Sequence, residues 1–176
     1  MEFKFLSEAE KEYYREQIIA LLLESDGDFL PPLSSRTSTK DSTFSSECAN
    51  CSGVLSYYKA MNSQMILCAT VDGSPVGFVS FYENYEGGEE PNIYVSTLVV
   101  AKSARGCGLT SKMYAYLFDE VYAECHIYTR TWSTNAAHTK ILSRFGFSEL
   151  KRIKDDRGEG IDTVYYVRRA KSLATV

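Results

Sequence analysis

The stretch from Val95 to Val121 reads VSTLVVAKSARGCGLTSKMYAYLFDEV, and the expected fold is built around it. Its opening VSTLVV predicts a β-strand, because β-branched residues dominate and alternate along it. Its later part predicts a helix, because apolar residues recur there at helical spacing: Leu109, Met113, Tyr116, Leu117 and Val121. The residues between them predict a glycine-rich turn from strand to helix: Arg105, Gly106, Cys107, Gly108, Leu109 and Thr110.

This turn has the composition of an anion-binding site. Gly106 and Gly108 let the backbone approach a ligand closely, and the N–H groups of the first helical turn point towards it. The helix dipole favours negative charge there, so a phosphate or diphosphate is the expected ligand. A simple helix start without a ligand has the same composition. The turn lacks the Gly-Lys-Ser/Thr of a Walker loop and the third glycine of a Rossmann motif, which excludes both sites.

Length, composition and charge set the broad class of the protein. The 176 residues suit a single domain, 1–176, with 44% hydrophobic and 24% charged residues. The net charge of −4 argues against nucleic acid as a partner and leaves room for a cationic substrate such as an amine. The sequence contains neither an apolar run long enough to span a membrane nor the apolar core of a signal peptide. We therefore expect a cytoplasmic protein that does not bind membranes.

The cysteines predict free thiols and no metal site. The chain has 5 cysteines, an odd number, and no export signal. Cys48 and Cys51 have the spacing of a metal-binding pair, but no second pair of Cys or His supplies the other two ligands of a structural zinc site. Cys107 lies at the expected helix start, where a thiol is reactive if the dipole lowers its pKa. Alternatively, Cys107 occupies this position only because its small side chain fits the turn.

Hydrophobic patterns place the remaining elements in an α/β fold with a mixed, mostly antiparallel sheet. The expected strands are Glu2–Leu6, Gln64–Val71, Pro75–Tyr85, Ile93–Val100, His126–Arg130, Phe147–Lys154 and Ile161–Arg168. The expected helices begin after Ser7 and run to about Ser25, then from Gly53 to Met61, Leu109 to Val121 and Asn135 to Phe145. Three antiparallel strands thus precede the turn, which is not the order of a doubly wound sheet.

A long loop from Phe29 to Glu47 interrupts the first helices. It is rich in Ser and Thr, and loops of this length in a compact domain are usually functional or disordered. Apolar residues that could anchor it are Phe29, Leu30, Leu33 and Phe44. A lid over a substrate site and a merely flexible loop both fit this pattern. Within the loop, Arg36 is a candidate for binding a carboxylate of the substrate, although a solvated arginine is the simpler interpretation.

Two motifs resemble the GCN5-related N-acetyltransferase (GNAT) superfamily. The turn matches the family pattern Arg/Gln-x-x-Gly-x-Gly/Ala at Arg105 and Gly108, with Thr110 at the last small position. The second motif is Asn135, followed by Gly146 and Phe147 at the family spacing. The resemblance covers the chain from about Gln64 to Arg168. It implies the GNAT-like acyl-CoA N-acyltransferase fold, with helices flanking the sheet.

The resemblance also implies a reaction and a cofactor site. GNAT members transfer acetyl from acetyl-CoA, here to a primary amine of a small molecule or peptide. In the family, the strand before the turn splays from the next strand and binds the pantetheine arm, a role that falls on Leu98, Val99 and Val100. Residues Arg105 to Thr110 would hold the diphosphate, and Asn135 would contact the cofactor near the pantetheine. Homodimers are common in the family, and the resemblance leaves a homodimer open.

The usual catalytic groups of the family are missing. Many members carry a Tyr acid seven residues after the Asn and some carry a Glu base five residues before it, but those positions are Leu142 and Arg130 here. The substitute candidates are Tyr94, Glu90 and His138, each of which could equally have a structural or solvated role. An alternative function is therefore an acyl-CoA-binding module that has lost catalysis and acts as a sensor or partner subunit.

Overall fold

The computed structural model describes residues 1–40 and 51–170. The predictions about the side chains of Cys48 and Cys51, about Phe44, and about the loop from residue 41 to Glu47 lie outside what it describes. No helix in the described part of the chain is long and apolar enough to cross a membrane.

The elements follow the order expected from the sequence. The strands are β1 (Glu2–Phe5), β2 (Met65–Val71), β3 (Ser74–Glu83), β4 (Asn92–Val100), β5 (His126–Trp132), β6 (Ser148–Ile153) and β7 (Thr163–Arg168). The α-helices are α1 (Glu8–Tyr13), α2 (Arg15–Ser25), α3 (Cys51–Asn62), α4 (Leu109–Ala115) and α5 (Ala136–Arg144). A π-helical segment, Tyr116–Val121, continues α4.

The seven strands are hydrogen-bonded in the order β1-β2-β3-β4-β5-β7-β6. The β1–β2, β2–β3, β5–β7 and β6–β7 pairs are antiparallel, whereas β4 and β5 are parallel. This confirms the predicted α/β class with a mixed, mostly antiparallel sheet. The parallel register is short, because it runs only from Asn92 opposite His126 to Val95 opposite Thr129. The residues of β4 from Ser96 to Val100 lie beyond it.

Over the described residues the chain forms two compact units. The first unit consists of Met1–Phe81 and Ser96–Met113. Its core is built by apolar side chains of α2, α3, the strands and the segments that join them, with Ile18, Leu22, Leu33, Met61 and Phe78 fully buried. The second unit consists of Tyr82–Val95 and Tyr114–Val176, and aromatic residues dominate its interior.

The first helical region begins as predicted and then breaks. Ser7 caps α1 by accepting a hydrogen bond from the Glu10 N–H, while the Glu10 carboxylate accepts from the Ser7 N–H, and this capping box explains the helix start after Ser7. The single predicted helix is two helices, α1 and α2, separated at Tyr14. One apolar face continues across this break, because Tyr14, Ile18, Leu21 and Leu22 are all buried.

The described part of the long loop is packed rather than open. Leu33 is fully buried in the core of the first unit, and a 3₁₀ turn spans Leu33–Ser35. Asp26 holds this turn, since its carboxylate accepts from the N–H and the hydroxyl of Ser34 at 2.7 and 2.9 Å. Residues 33–36 are therefore part of the core, and a lid, if one forms, does not include them.

The helix after the glycine-rich turn is not regular throughout. The predicted apolar face is buried at Leu109, Met113 and Leu117, but Val121 is 42% exposed. Val121 ends the π-helical segment, after which the Tyr122 N–H donates to the Leu117 carbonyl five residues before it. Within this segment Leu117 and Phe118 are buried.

Candidate functional site

The glycine turn, residues 105–110, has an open backbone. A 3₁₀ turn over Lys102–Ala104 leads into it. Gly106 and Gly108 have φ angles of +79° and +76°, in the left-handed region that disfavours any other residue. A Cβ atom placed on either glycine meets no atom within 4 Å, so the space above the turn is accessible to a ligand.

The turn presents a run of unused main-chain donors. The N–H groups of residues 106 to 111 donate to no acceptor within the described chain, and the first helical hydrogen bond is made by the Lys112 N–H to the Gly108 carbonyl. Successive N–H groups at a helix start are the elements from which proteins build phosphate sites. Their number and spacing suit a diphosphate, which carries several acceptor oxygens.

The Arg105 side chain folds back onto the first unit. Its Nε donates to the Val100 carbonyl at 3.1 Å, and its Nη2 pairs with the Asp28 carboxylate at 2.7 Å. These contacts fix the turn to the end of β4 and to the segment after α2. Sequence reasoning assigned Arg105 to the diphosphate and missed Asp28, because the partner is far away in sequence.

The turn is also supported from beneath by close packing. A Cβ atom on Gly77 of β3 would lie 2.9 Å from the Val99 carbonyl oxygen and 3.4 Å from a Leu109 methyl group. Gly77 thus allows β3 to approach both the end of β4 and the start of α4. Val99 faces the buried core, whereas Leu98 and Val100 are half-buried.

A buried polar network that the sequence did not predict surrounds the middle of β4. The Gln64 side chain bonds Thr39 at 3.0 Å and accepts from the Ser96 hydroxyl at 2.5 Å. Next to it, the Tyr57 and Thr97 hydroxyls are 2.7 Å apart. Hydroxyl and amide groups have no periodic hydrophobic signal, so only the tertiary structure identifies this group. It fixes Thr39 of the long loop to the strand.

In the second unit, Asn135 caps α5. Its Oδ1 accepts from the His138 N–H at 3.2 Å, and its Nδ2 donates to the Thr131 hydroxyl at 3.1 Å. At the other end of the helix, Gly146 has a φ of +78° and the Phe147 N–H donates to the Leu142 carbonyl. This is the hydrogen bond of a Schellman motif. The Asn and Gly-Phe residues of the second motif therefore begin and end one helix.

The comparison with known families agrees with these motifs. The sequence model of the acetyltransferase (GNAT) family matches residues 34–147. The chain belongs to this family. No curated protein matches this GNAT protein in sequence.

Solved structures share the fold of the GNAT protein over nearly its whole length. A ribosomal-protein-alanine N-acetyltransferase from Brucella melitensis is 18% identical, with a TM-score of 0.65 over 96% of this chain and 99% of its own. An aminoglycoside 6'-acetyltransferase type Ii is 15% identical, with a TM-score of 0.67 over 96% of this chain and 97% of its own. An acetyltransferase structure from Salmonella typhimurium with its cofactor acetyl-CoA is 17% identical, with a TM-score of 0.61 over 100% of this chain and 97% of its own.

His138 of the GNAT protein lies against an aromatic cluster in the second unit. Its Nε2 is 2.8 Å from the hydroxyl of Tyr114, which is fully buried and stacks on Phe118 with ring centroids 4.5 Å apart. Burial lowers the pKa of His138 to about 4, so the imidazole is neutral near pH 7. Burial also raises the pKa of Tyr114, which keeps that phenol protonated.

The other predicted catalytic and substrate-binding residues of the GNAT protein differ in how far they are buried. Tyr94 is buried and lines a cavity of the second unit, while Glu90 is exposed. Arg36 is buried and donates to the main-chain carbonyls of Pro31 and Leu30 at 3.1 and 3.3 Å, so much of its hydrogen-bonding capacity serves the loop itself.

At the position of the usual family acid, Leu142 lies on the apolar side of α5 and is fully buried. Among the described residues, no group of three or more His, Cys, Asp or Glu side chains is placed to hold a metal ion.

Proposed function

We propose that this GNAT protein transfers acetyl from acetyl-CoA to a primary amine of a small molecule or peptide. The observation that carries the proposal is the row of unpartnered N–H groups from 106 to 111 above an open glycine turn. Hydrogen bonds from neutral N–H groups to a diphosphate are charge-assisted, and the helix dipole adds to them. Arg105 stays a prediction for the diphosphate, and the structure pairs its guanidinium with Asp28.

The chain offers groups for the rest of the cofactor. The short parallel register leaves the main-chain groups of Leu98, Val99 and Val100 outside the β4–β5 pairing, and we assign them to the pantetheine arm. We assign Asn135 to a contact near the pantetheine, alongside its role as the cap of α5. Acetyl-CoA supplies an acetyl thioester, whose C–S bond breaks as the acceptor amine forms a C–N bond, with one proton leaving the nitrogen and one reaching sulfur.

Proximity and main-chain polarisation account for catalysis in this proposal. Orienting an amine next to a thioester removes much of the entropic barrier, and an N–H of Leu98 to Val100 can stabilise the developing oxyanion. With Leu142 in the usual acid position, protonation of the thiolate needs no dedicated acid, because a thiolate is a good leaving group. Tyr94, Glu90 and His138 stay predictions for the proton acceptor, acting directly or through water.

A second candidate function is an acyl-CoA-binding module without catalysis, which is favoured by Leu142 and Arg130 at the two usual catalytic positions. Both candidates are cytoplasmic proteins without a nucleic-acid or membrane partner in our proposal, and either allows a homodimer.

The two functions are separated by measuring release of CoA thiol from acetyl-CoA with a panel of amines. The panel contains a polyamine, an aminoglycoside, amino acids and peptides with a free N-terminus, and calorimetry measures acetyl-CoA affinity in parallel. Amine-dependent thiol release supports the transferase. Acetyl-CoA binding with no release above hydrolysis for any amine supports the module, and absence of binding contradicts both.

A further inference from the structure

The second unit contains a cavity of about 470 Å³ that no motif predicts. We call it the tyrosine pocket. It is lined by Tyr85, Gly87, Tyr94, Tyr128, Thr129, Leu150, Lys151, Tyr165 and Tyr166. These residues come from four strands and from the loop between β3 and β4. A volume of this size and an aromatic lining are typical of small-molecule sites.

The aromatic wall of the pocket is held in place by specific contacts. The Tyr85 ring lies 4.6 Å from that of Tyr94 and 6.2 Å from that of Tyr128. The Tyr128 hydroxyl accepts from the Glu89 N–H at 3.0 Å. Gly88 packs on the same ring so closely that a Cβ atom there would lie 2.4 Å from it. The rings are thus pre-arranged to stack on a planar ligand group.

The charged residue of the pocket lining is Lys151, and a second cation, Arg130, lies beside the lining residue Tyr165. Lys151 of β6 is opposite Tyr165 of β7, which is opposite Arg130 of β5, so the two cations flank one tyrosine across three strands. The Arg130 Nη1 is 3.5 Å from the Tyr165 hydroxyl. The described lining includes no Asp or Glu. The adjacent carboxylate of Glu89 is paired with Arg169 at 2.7 Å, so its charge is balanced.

The pocket also lies where the parallel pairing ends. Thr129, which lines it, donates to the Val95 carbonyl at 3.0 Å, and these two residues form the last pair of the β4–β5 register. Beyond this pair, β4 continues to the residues that we assign to the pantetheine arm.

We infer that the tyrosine pocket binds the acceptor substrate, and that this acceptor carries an aromatic ring and a carboxylate in addition to its amine. The identification of this ligand as the acetyl acceptor rests on the proposed function. Tyrosine rings alone would also attract a cation, but Lys151 and Arg130 oppose a cation and favour an anion. The ring stacks among Tyr85, Tyr94 and Tyr128, and the carboxylate pairs with Lys151.

Binding of simple probes tests the pocket without the reaction. Calorimetry in the absence of acetyl-CoA compares 3-phenylpropanoate, 2-phenylethylammonium and hexanoate, which separate the ring from the charge. We expect 3-phenylpropanoate to bind at least about tenfold more tightly than either of the others, because only it satisfies both features. Preference for 2-phenylethylammonium, or equal binding of hexanoate, would overturn the assignment of the anion or of the ring.

Variants locate the binding. Lys151→Met should weaken 3-phenylpropanoate about tenfold and leave 2-phenylethylammonium unchanged or tighter. Lys154→Met, an exposed lysine on the same hairpin, is the matched control and should change neither. Tyr165→Leu should weaken both aromatic probes. Lys151 and Tyr165 are not fully buried, and circular dichroism verifies the fold of both variants. Equal effects of Lys151→Met and Lys154→Met would contradict the pocket.

Kinetics then connects the pocket to the proposed reaction. Aromatic amino acids should be better acceptors than polyamines, and Lys151→Met should raise their KM with little change in kcat. If 3-phenylpropanoate binds as expected but no amine releases CoA thiol, the transferase proposal fails and the ligand assignment stands. If amines are acetylated but Lys151→Met leaves every KM unchanged, the inference fails and the transferase stands.

Discussion

The glycine turn and the tyrosine pocket recognise ligands by opposite means. The turn offers main-chain N–H groups from consecutive residues, and its side chains matter mainly by their absence at Gly106 and Gly108. The pocket offers side chains that come from four strands and one loop. A main-chain site has a local sequence pattern because its geometry depends on neighbouring φ angles. A side-chain site assembled across a sheet has no such pattern, which is why only the first was predicted.

The strongest test of this contrast is Gly108→Glu. The new side chain brings a negative charge to the main-chain donors at a φ of +76°, and acetyl-CoA affinity should fall at least about a hundredfold by calorimetry. Gly160→Glu is the matched control, since Gly160 has a φ of +74° and equally open surroundings in the loop between β6 and β7. Binding of 3-phenylpropanoate should survive both changes. Unchanged acetyl-CoA affinity in a folded Gly108→Glu protein would remove the diphosphate assignment.

The second prediction concerns the stability of the second unit at low pH. The folded pKa of His138, about 4, lies below the ordinary 6.5, so the unfolded state binds the extra proton between these values. His138 therefore contributes stability above pH 6.5 that is lost as the pH falls towards 4, by at most about 3 kcal/mol. His138→Gln should show a weaker loss of unfolding free energy between pH 7 and pH 4.5 in urea titrations. Parallel curves for the two proteins would refute this role.

A smaller effect is expected beneath the turn. Gly77→Ala places a Cβ atom 2.9 Å from the Val99 carbonyl oxygen, and the overpacking should cost about 1–3 kcal/mol of unfolding free energy. Gly27→Ala is its control, because a Cβ atom there meets nothing within 4 Å. Urea titration measures both. A Gly77→Ala protein as stable as Gly27→Ala would show that β3 can move away from the turn at no cost.

The smallest effect is expected for Asp28→Asn. The pair formed by Arg105 and Asp28 is exposed, at 41% and 47% for the two side chains, so its loss should change the unfolding free energy by less than about 1 kcal/mol. Acetyl-CoA affinity should stay within about threefold of the native value if main-chain donors dominate. A large loss of affinity would instead show that Asp28 orients Arg105 for the ligand.

Sequence reasoning succeeded where the signal was local. The helix start after Ser7, the strand end at Val71 and the last helix from Asn135 to Phe145 all depend on near neighbours in the chain. It was wrong about the single first helix and about Val121, because a helix break and a π-helical segment depend on packing rather than on apolar spacing. Leu33, named as a possible anchor of the long loop, is fully buried, but the polar composition of the loop did not reveal that Ser34, Ser35 and Arg36 are buried with it.

The sequence by itself determined the order of elements, the mixed sheet and the GNAT family, because hydrophobic period and two short motifs depend on residues close together in the chain. Only the tertiary structure decided which side chains meet: Arg105 with Asp28, His138 with Tyr114, and the tyrosines with Lys151. The partners in each case come from separate helices, strands or loops. Their distances are set by strand register and by helix packing. These are properties of the whole fold and cannot be predicted from any single stretch of sequence.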